Sequence, residues 1–114
     1  MKLNKTNALL LWKKYYGDRQ FAKDFHGNLM CRDAYGDSDY FVHQNNQRIY
    51  CGWNLHHILP KSQRGTNAES NLLCTNILTN VAASNKITFW IDDILYQVKK
   101  VYGSRNYEIV RINN

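Results

Sequence analysis

The sequence has little proline, few cysteines and no long apolar run. It contains one proline and three cysteines, Cys31, Cys51 and Cys74, and no CxxC pair. This pattern excludes the disulfide framework typical of small secreted domains. No apolar stretch approaches the roughly 18 residues needed to span a bilayer, and the first residues lack the pattern of a signal peptide. With 114 residues, of which 44% are hydrophobic, we expect one compact cytoplasmic domain that is neither disordered nor membrane-bound.

Acidic residues are also few. The chain has nine Asp and Glu and 15 Lys and Arg, which gives a formal net charge of +6. The excess is uneven. Residues 1–23 carry +5 and residues 24–60 carry −2, whereas residues 61–86 carry +2 and residues 87–114 carry +1. A basic balance in a small domain favours polyanionic partners, nucleic acid first.

The first three quarters of the chain read as an N-terminal helix followed by short strands. Asn4 or Thr6 can cap a helix that Gly17 ends. Further along, the pattern predicts strands over 40–42, 48–50, 53–56 and 72–74, a polar loop over 61–70, and a helix over 75–83 capped by Thr75.

The last quarter has strand-like composition over 87–91, 94–101 and 107–112, with turns at Asp92-Asp93 and at 103–106. The competing interpretation is an amphipathic helix over 88–101. Trp53, Phe89 and Trp90 are expected in the core rather than on a base-stacking surface.

The chemistry-bearing residues lie between 53 and 86. His56 and His57 are adjacent, and Pro60 and Gly65 supply an irregularity that lets both face one site at the end of a strand. Neutral imidazole is a metal ligand and a proton acceptor near pH 7. Asn80, on the following helix, offers an amide oxygen of the kind that Mg²⁺ accepts. One His, one Asn and water or phosphate oxygens would form a sparse site suited to phosphodiester hydrolysis.

Four blocks stand in order here: Trp53-Asn-Leu-His-His-Ile-Leu-Pro60, Gly65-Thr-Asn67, Asn71-Leu72 and Asn80. Together with the stretch from Asp24 to Gly36, which looks like a lead-in strand, they resemble the HNH endonuclease family with its ββα-metal motif. The resemblance covers roughly residues 24–91. It implies that His57 is the general base, that His56 and Asn80 bind the metal, and that Asn71 braces the loop of the catalytic motif.

The resemblance also implies a metal-dependent endonuclease that leaves 5′-phosphate and 3′-hydroxyl ends, with Mg²⁺ as the first expected cofactor and Mn²⁺ or another transition metal as alternatives. Lys61, Arg64 and Lys86 are candidate phosphate contacts. The chain departs from the family pattern at four places. Ala83 stands where many relatives have a Lys, which here comes at Lys86, and the Cys pairs that bind structural zinc in many members are absent. Arg64-Gly65 replaces the usual Gly-Gly, and Ser84 replaces a further His ligand of some members, so that only His56 and Asn80 remain as protein ligands.

Several alternatives stay open. Asn76 and Asn85 compete with Asn80 as the ligand, and the three cysteines with His26 or His43 are a candidate zinc site. The sequence predicts a small α+β domain of N-terminal basic helix (1–23), HNH-like core (24–91) and C-terminal β extension (92–114). The expected function is a nicking or weakly specific nuclease that acts on DNA rather than RNA. The alternative is a non-catalytic HNH-fold protein of a phage or mobile element that engages nucleic acid or regulates a partner protein.

Overall fold

A computed structural model describes all 114 residues, Met1 to Asn114. The chain forms a mixed α+β unit of two helices and four small antiparallel sheets. In chain order the elements are α1 (Lys5–Tyr16), β1 (Phe21–Lys23), β2 (Leu29–Cys31), β3 (Phe41–Gln44), β4 (Gln47–Tyr50), β5 (Trp53–His57), β6 (Leu72–Asn76), α2 (Ile77–Ala83), β7 (Thr88–Ile91), β8 (Ile94–Lys100) and β9 (Tyr107–Arg111). Neither helix has the length and apolar character needed to cross a bilayer.

Helix α1 begins and ends where the sequence predicts. The Asn4 side chain accepts a hydrogen bond from the backbone N–H of Asn7, and Gly17 closes the helix at a φ of 63°. Trp12 is buried and packs against Trp53 of β5, with ring centroids 5.0 Å apart. This contact fixes the helix on the central hairpin. The segment 1–23 is not all helical, however, because its last three residues form β1.

Two short hairpins precede the central one. Strands β3 and β4 are joined by Asn45 and Asn46, both with positive φ, as a two-residue hairpin turn requires. The other hairpin, β1–β2, corrects an expectation. The stretch 24–36 is not one lead-in strand, since only its residues 29–31 are extended in a sheet and a turn precedes them. The carboxylate of Asp24 holds that turn by accepting hydrogen bonds from the N–H groups of His26 and Asn28.

The central element is the hairpin β5–β6 followed directly by α2. Its register pairs Trp53 with Asn76 and His57 with Leu72. The predicted helix cap at Thr75 is wrong, because Thr75 is buried within β6 and Asn76 caps α2 by accepting from the N–H of Leu78. Asn76 also donates to the carbonyls of Leu29 and Tyr50, so one side chain joins α2 to two other hairpins.

The C-terminal residues form a three-stranded antiparallel sheet in the order β7-β8-β9. The predicted strands are confirmed, and the competing helix over 88–101 is wrong. The expected boundary between residues 91 and 92 falls in the turn of the β7–β8 hairpin, so this sheet begins before it. Phe89 is buried as expected. Trp90 is 59% exposed, because alternation along β7 directs it to the outer face of the sheet.

The buried apolar side chains form two clusters. The larger one joins α1, β1, β2 and the central hairpin, and includes Trp12, Trp53 and Leu55. The smaller one lies under the C-terminal sheet and includes Ile58 and Phe89. Leu55 therefore belongs to the first cluster and Ile58 to the second, which places His56 and His57 at the junction between them.

All three cysteines are free and buried. Burial raises the pKa of the Cys74 thiol to about 12 and that of Cys51 to about 11, so both are unreactive thiols near neutral pH. We therefore expect the native protein to resist iodoacetamide at pH 8, whereas the chain unfolded in guanidinium takes up three labels. Mass spectrometry after timed quenching measures this. Labelling of the native chain as fast as of the unfolded chain would contradict the burial.

Candidate functional site

His56 and Asn80 come together although they lie on different elements. His56 lies on β5 and is 5% exposed. Asn80 lies one turn into α2, which begins directly after the partner strand β6 and returns over β5. The Nδ1 atom of His56 is 2.6 Å from the Oδ1 atom of Asn80. Because an amide oxygen only accepts hydrogen bonds, Nδ1 carries the proton and Nε2 carries the free lone pair.

The amide of Asn80 is itself oriented by a third side chain. Its Nδ2 donates to Oδ1 of Asn54 over 2.7 Å. Asn54 stands two residues before His56 on β5, so the two side chains share one face of the strand. The chain Asn54–Asn80–His56 therefore directs the Asn80 carbonyl oxygen at the imidazole.

The surroundings of His56 favour its neutral form. Burial lowers its pKa below the usual value, an effect that outweighs the hydrogen bond from Nδ1 to Asn80. The ring of Phe25 lies beside it, with centroids 6.5 Å apart. Neutral imidazole is the form that binds metal ions.

His57 has a different environment. It is partly exposed at the end of β5, and its Nε2 is 2.7 Å from Oδ1 of Asn67 in the following loop. Since this oxygen accepts, Nε2 carries the proton and Nδ1 is left with an unprotonated lone pair. The Asn67 contact thus fixes both the tautomer and the orientation of the ring, as a general base requires.

Asn71 braces the loop that carries Asn67. Its Oδ1 accepts from the N–H of Leu59, and its Nδ2 donates to the carbonyls of Leu59 and Thr66. Its backbone carbonyl also accepts from the N–H of Ile58. One residue therefore holds the chain that leaves His57 against the chain that returns to β6.

The backbone of the loop explains the sequence Arg64-Gly65. A Cβ atom at Gly65 would lie 1.7 Å from the carbonyl oxygen of Leu59, so no side chain fits there. Arg64 has a φ of 72°, in the left-handed region that glycine adopts most easily. Both positions thus suit glycine, and the chain places an arginine at one of them.

His56, His57 and Asn80 line one small cavity of about 50 Å³, together with Ser84 and Asn85. The structure does not bring the three predicted cations to these atoms. Lys61, Arg64 and Lys86 are exposed, and their side chains take part in neither of the two ion pairs of the chain. Arg64 lines a separate cavity.

One of the competing ligands is placed elsewhere, and the other lines the same cavity. Asn76 is buried as the cap of α2, and Asn85 lines the cavity without a hydrogen bond of its own. No group of three or more His, Cys, Asp or Glu side chains is arranged to hold a metal ion. This finding leaves the candidate zinc site of cysteines with His26 or His43 without support. His26 instead contacts the hydroxyl of Tyr96 and the carboxylate of Asp92.

The donor atoms at the cavity suit a divalent transition-metal ion. A cation between His56 and Asn80 would take the place of the proton on Nδ1 of His56. It would meet one imidazole nitrogen and one amide oxygen, and no carboxylate lines the cavity. Imidazole suits transition-metal ions, whereas Mg²⁺ prefers oxygen ligands throughout. The donor set therefore favours Mn²⁺ or a similar ion over Mg²⁺.

Sequence reasoning missed the residues that orient the site. Asn54 and Asn67 are part of the sequence blocks, but the sequence assigned them no function. Their role in orienting the site depends on the side chain to which each one is hydrogen-bonded. The role of Asp24 was missed, although this residue opens the stretch 24–36. Its buried carboxylate accepts from the N–H of Asn76 at the start of α2 and so fixes the helix that carries Asn80.

No family model, curated protein or solved structure matches this chain.

Proposed function

We propose that this chain is a metal-dependent endonuclease of the HNH type, with a ββα-metal module formed by β5, β6 and α2. One observation carries the proposal. Two histidines and an asparagine converge on one cavity, with the His56 imidazole against the Asn80 carbonyl and His57 held by Asn67 with Nδ1 free. The order hairpin then helix, and the position of the Asn71 brace, agree with the resemblance to HNH proteins.

In the proposed reaction His57 accepts a proton from the attacking water at Nδ1. The hydrogen bond from Nε2 to Asn67 keeps the ring oriented while the imidazolium exists. His56 and Asn80 would hold the divalent cation, which supplies stabilisation of the charge that develops on the phosphate and on the leaving oxygen. Asn54 keeps the Asn80 carbonyl turned toward the site.

The substrate that we propose is DNA. The net charge of +6 supports a polyanion, and the preference for DNA over RNA comes from the resemblance alone. The small size of the chain supports nicking or weakly specific cleavage, since little surface is left for reading a long sequence.

Metal dependence is the first test of this function. We expect supercoiled plasmid to be nicked with Mn²⁺, more slowly with Mg²⁺, and not at all with EDTA. Replacing Asn80 by Ala removes one of two protein ligands, and we expect the Mn²⁺ concentration for half-maximal rate to rise by about 10- to 100-fold. Agarose gels of timed reactions across a metal titration give both quantities.

The matched control is Asn85→Ala. Asn85 lines the same cavity but makes no hydrogen bond, so its loss should leave the metal dependence as in the parent chain. Equal effects of the two substitutions would argue against Asn80 as a ligand. If the folded parent chain cleaves no plasmid with any metal, the nuclease proposal is wrong. The alternative, a non-catalytic binding protein, then takes its place.

A further inference from the structure

The loop after Pro60 lines a second cavity, separate from the one at His57. Its volume is about 310 Å³, and it lies between this loop and the turn that joins β8 to β9. Polar side chains from both segments line it: Arg64, Thr66, Ser70 and Asn71 from the loop, and Arg105 and Asn106 from the turn.

The side chains that line this cavity carry positive charge, and their charged groups form no ion pairs. It includes two arginines and no Asp or Glu. The two ion pairs of the chain are Lys14–Glu69 and His26–Asp92, so neither guanidinium is neutralised by a carboxylate. Each guanidinium presents donors in a planar fork that matches the oxygens of a phosphate group. The cavity therefore suits an anion with several acceptor oxygens.

The backbone at Arg64 adds a second, independent observation. This residue closes a 3₁₀ turn at a φ of 72°. A side chain is unfavourable in that conformation, and glycine would adopt it without strain. Strained non-glycine residues of this kind are concentrated at ligand-binding positions. An arginine in this unfavourable backbone conformation is explained if its guanidinium binds a ligand.

The cavity is adjacent to the candidate catalytic base. Asn67 contacts His57, while its neighbours Thr66 and Ala68 line the arginine cavity. The side chain of Asn71 also lines the cavity and donates to the carbonyl of Thr66. A strand that passes over this short loop would present one phosphate to the histidines and another to the arginines.

We propose that Arg64 and Arg105 bind a backbone phosphate of the nucleic-acid strand that flanks the cleaved bond. The C-terminal sheet thereby becomes part of the substrate-binding surface through its β8–β9 turn. The choice of nucleic acid as the polyanion rests on the proposed nuclease function, whereas the anion-binding character of the cavity rests on its own lining.

The test is binding of the full chain to a short fluorescein-labelled duplex in EDTA, followed by anisotropy between about 50 and about 200 mM salt. For the double variant Arg64→Gln/Arg105→Gln, we expect affinity at low salt to fall by about tenfold and the logarithmic salt slope to fall by about one, because the one phosphate contact that both arginines make is lost. Arg48→Gln is the matched control for the single variants Arg64→Gln and Arg105→Gln, because each of the three loses one positive charge. It removes the same charge from β4, where Arg48 lies over the ring of Phe41, away from this cavity.

Two further variants separate binding from folding. Arg64→Gly relieves the left-handed backbone, so its thermal midpoint should equal or exceed that of the parent chain while DNA affinity falls. Arg64→Lys/Arg105→Lys retains both charges and should keep the salt slope while losing part of the affinity. An unchanged salt slope in the Gln double variant would overturn the proposal. So would a loss of DNA affinity in Arg48→Gln as large as the loss in Arg64→Gln.

Competition distinguishes the source of the phosphate. Inorganic phosphate and adenosine monophosphate should displace the duplex only weakly, and displacement as effective as by unlabelled duplex would instead assign a free-nucleotide site. Cleavage of plasmid by the same variants separates this proposal from the nuclease function. Arginine-dependent binding without cleavage would reject only the nuclease, and cleavage with unaltered KM in the double variant would reject only the phosphate site.

Discussion

Replacing His57 by Ala is expected to reduce plasmid cleavage by about 10²- to 10⁴-fold, the usual contribution of a general base. The substitution removes the nitrogen that accepts the proton from water. It leaves the hydrogen bond between His56 and Asn80 in place. DNA affinity measured in EDTA should therefore stay within about twofold, because no charged phosphate contact is lost.

Two controls make this result specific. His43→Ala removes an exposed histidine of β3 and should cleave like the parent chain. Asn67→Ala leaves the imidazole of His57 but removes the acceptor that orients it, so the rate should fall by less than in His57→Ala. If His57→Ala cleaves as fast as His43→Ala, then His57 is not the base and the nuclease proposal loses its central residue.

Local signals in the sequence were sufficient to predict most elements. Asn4 and Gly17 bound α1 as capping chemistry requires, and the alternation of side chains identified the C-terminal strands. The start of α2 could not be placed in this way. Thr75 and Asn76 are both good caps and both are paired in the β5–β6 register. Asn76 is the cap because its side-chain oxygen accepts from the N–H of Leu78, a contact that only the structure shows.

The candidate site was likewise predictable only in part. The spacing of His56, His57 and Asn80 indicated the three side chains that line one cavity. The amide partners Asn54 and Asn67 could not be assigned, because their roles depend on distances across the hairpin and loop. The sequence could not predict the place of Arg105 either. Arg105 is remote in sequence from Arg64, and the two line one cavity only because of how the C-terminal sheet packs.

Asn71 gives the prediction with the largest effect on stability. Its carboxamide makes three hydrogen bonds to backbone groups of Leu59 and Thr66. We expect Asn71→Ala to lower the free energy of unfolding by about 3 kcal/mol, since each bond contributes about 1 kcal/mol. Domains of this kind have about 5–15 kcal/mol in total, so the melting temperature should fall by roughly 10 °C. Denaturant titration and thermal melts measure both quantities.

The replacement Asn71→Asp tests whether the donors matter as well as the acceptor. It keeps an oxygen for the N–H of Leu59 but turns a second oxygen toward the carbonyls of Leu59 and Thr66, so it should be at least as destabilising as Ala. Ser62→Ala, in the same loop region but exposed, should be neutral. If Asn71→Ala unfolds like Ser62→Ala, the bracing role is wrong. If it unfolds early and cleaves poorly even well below its melting temperature, the brace also positions His57, because the same carboxamide holds the chain on both sides of the loop.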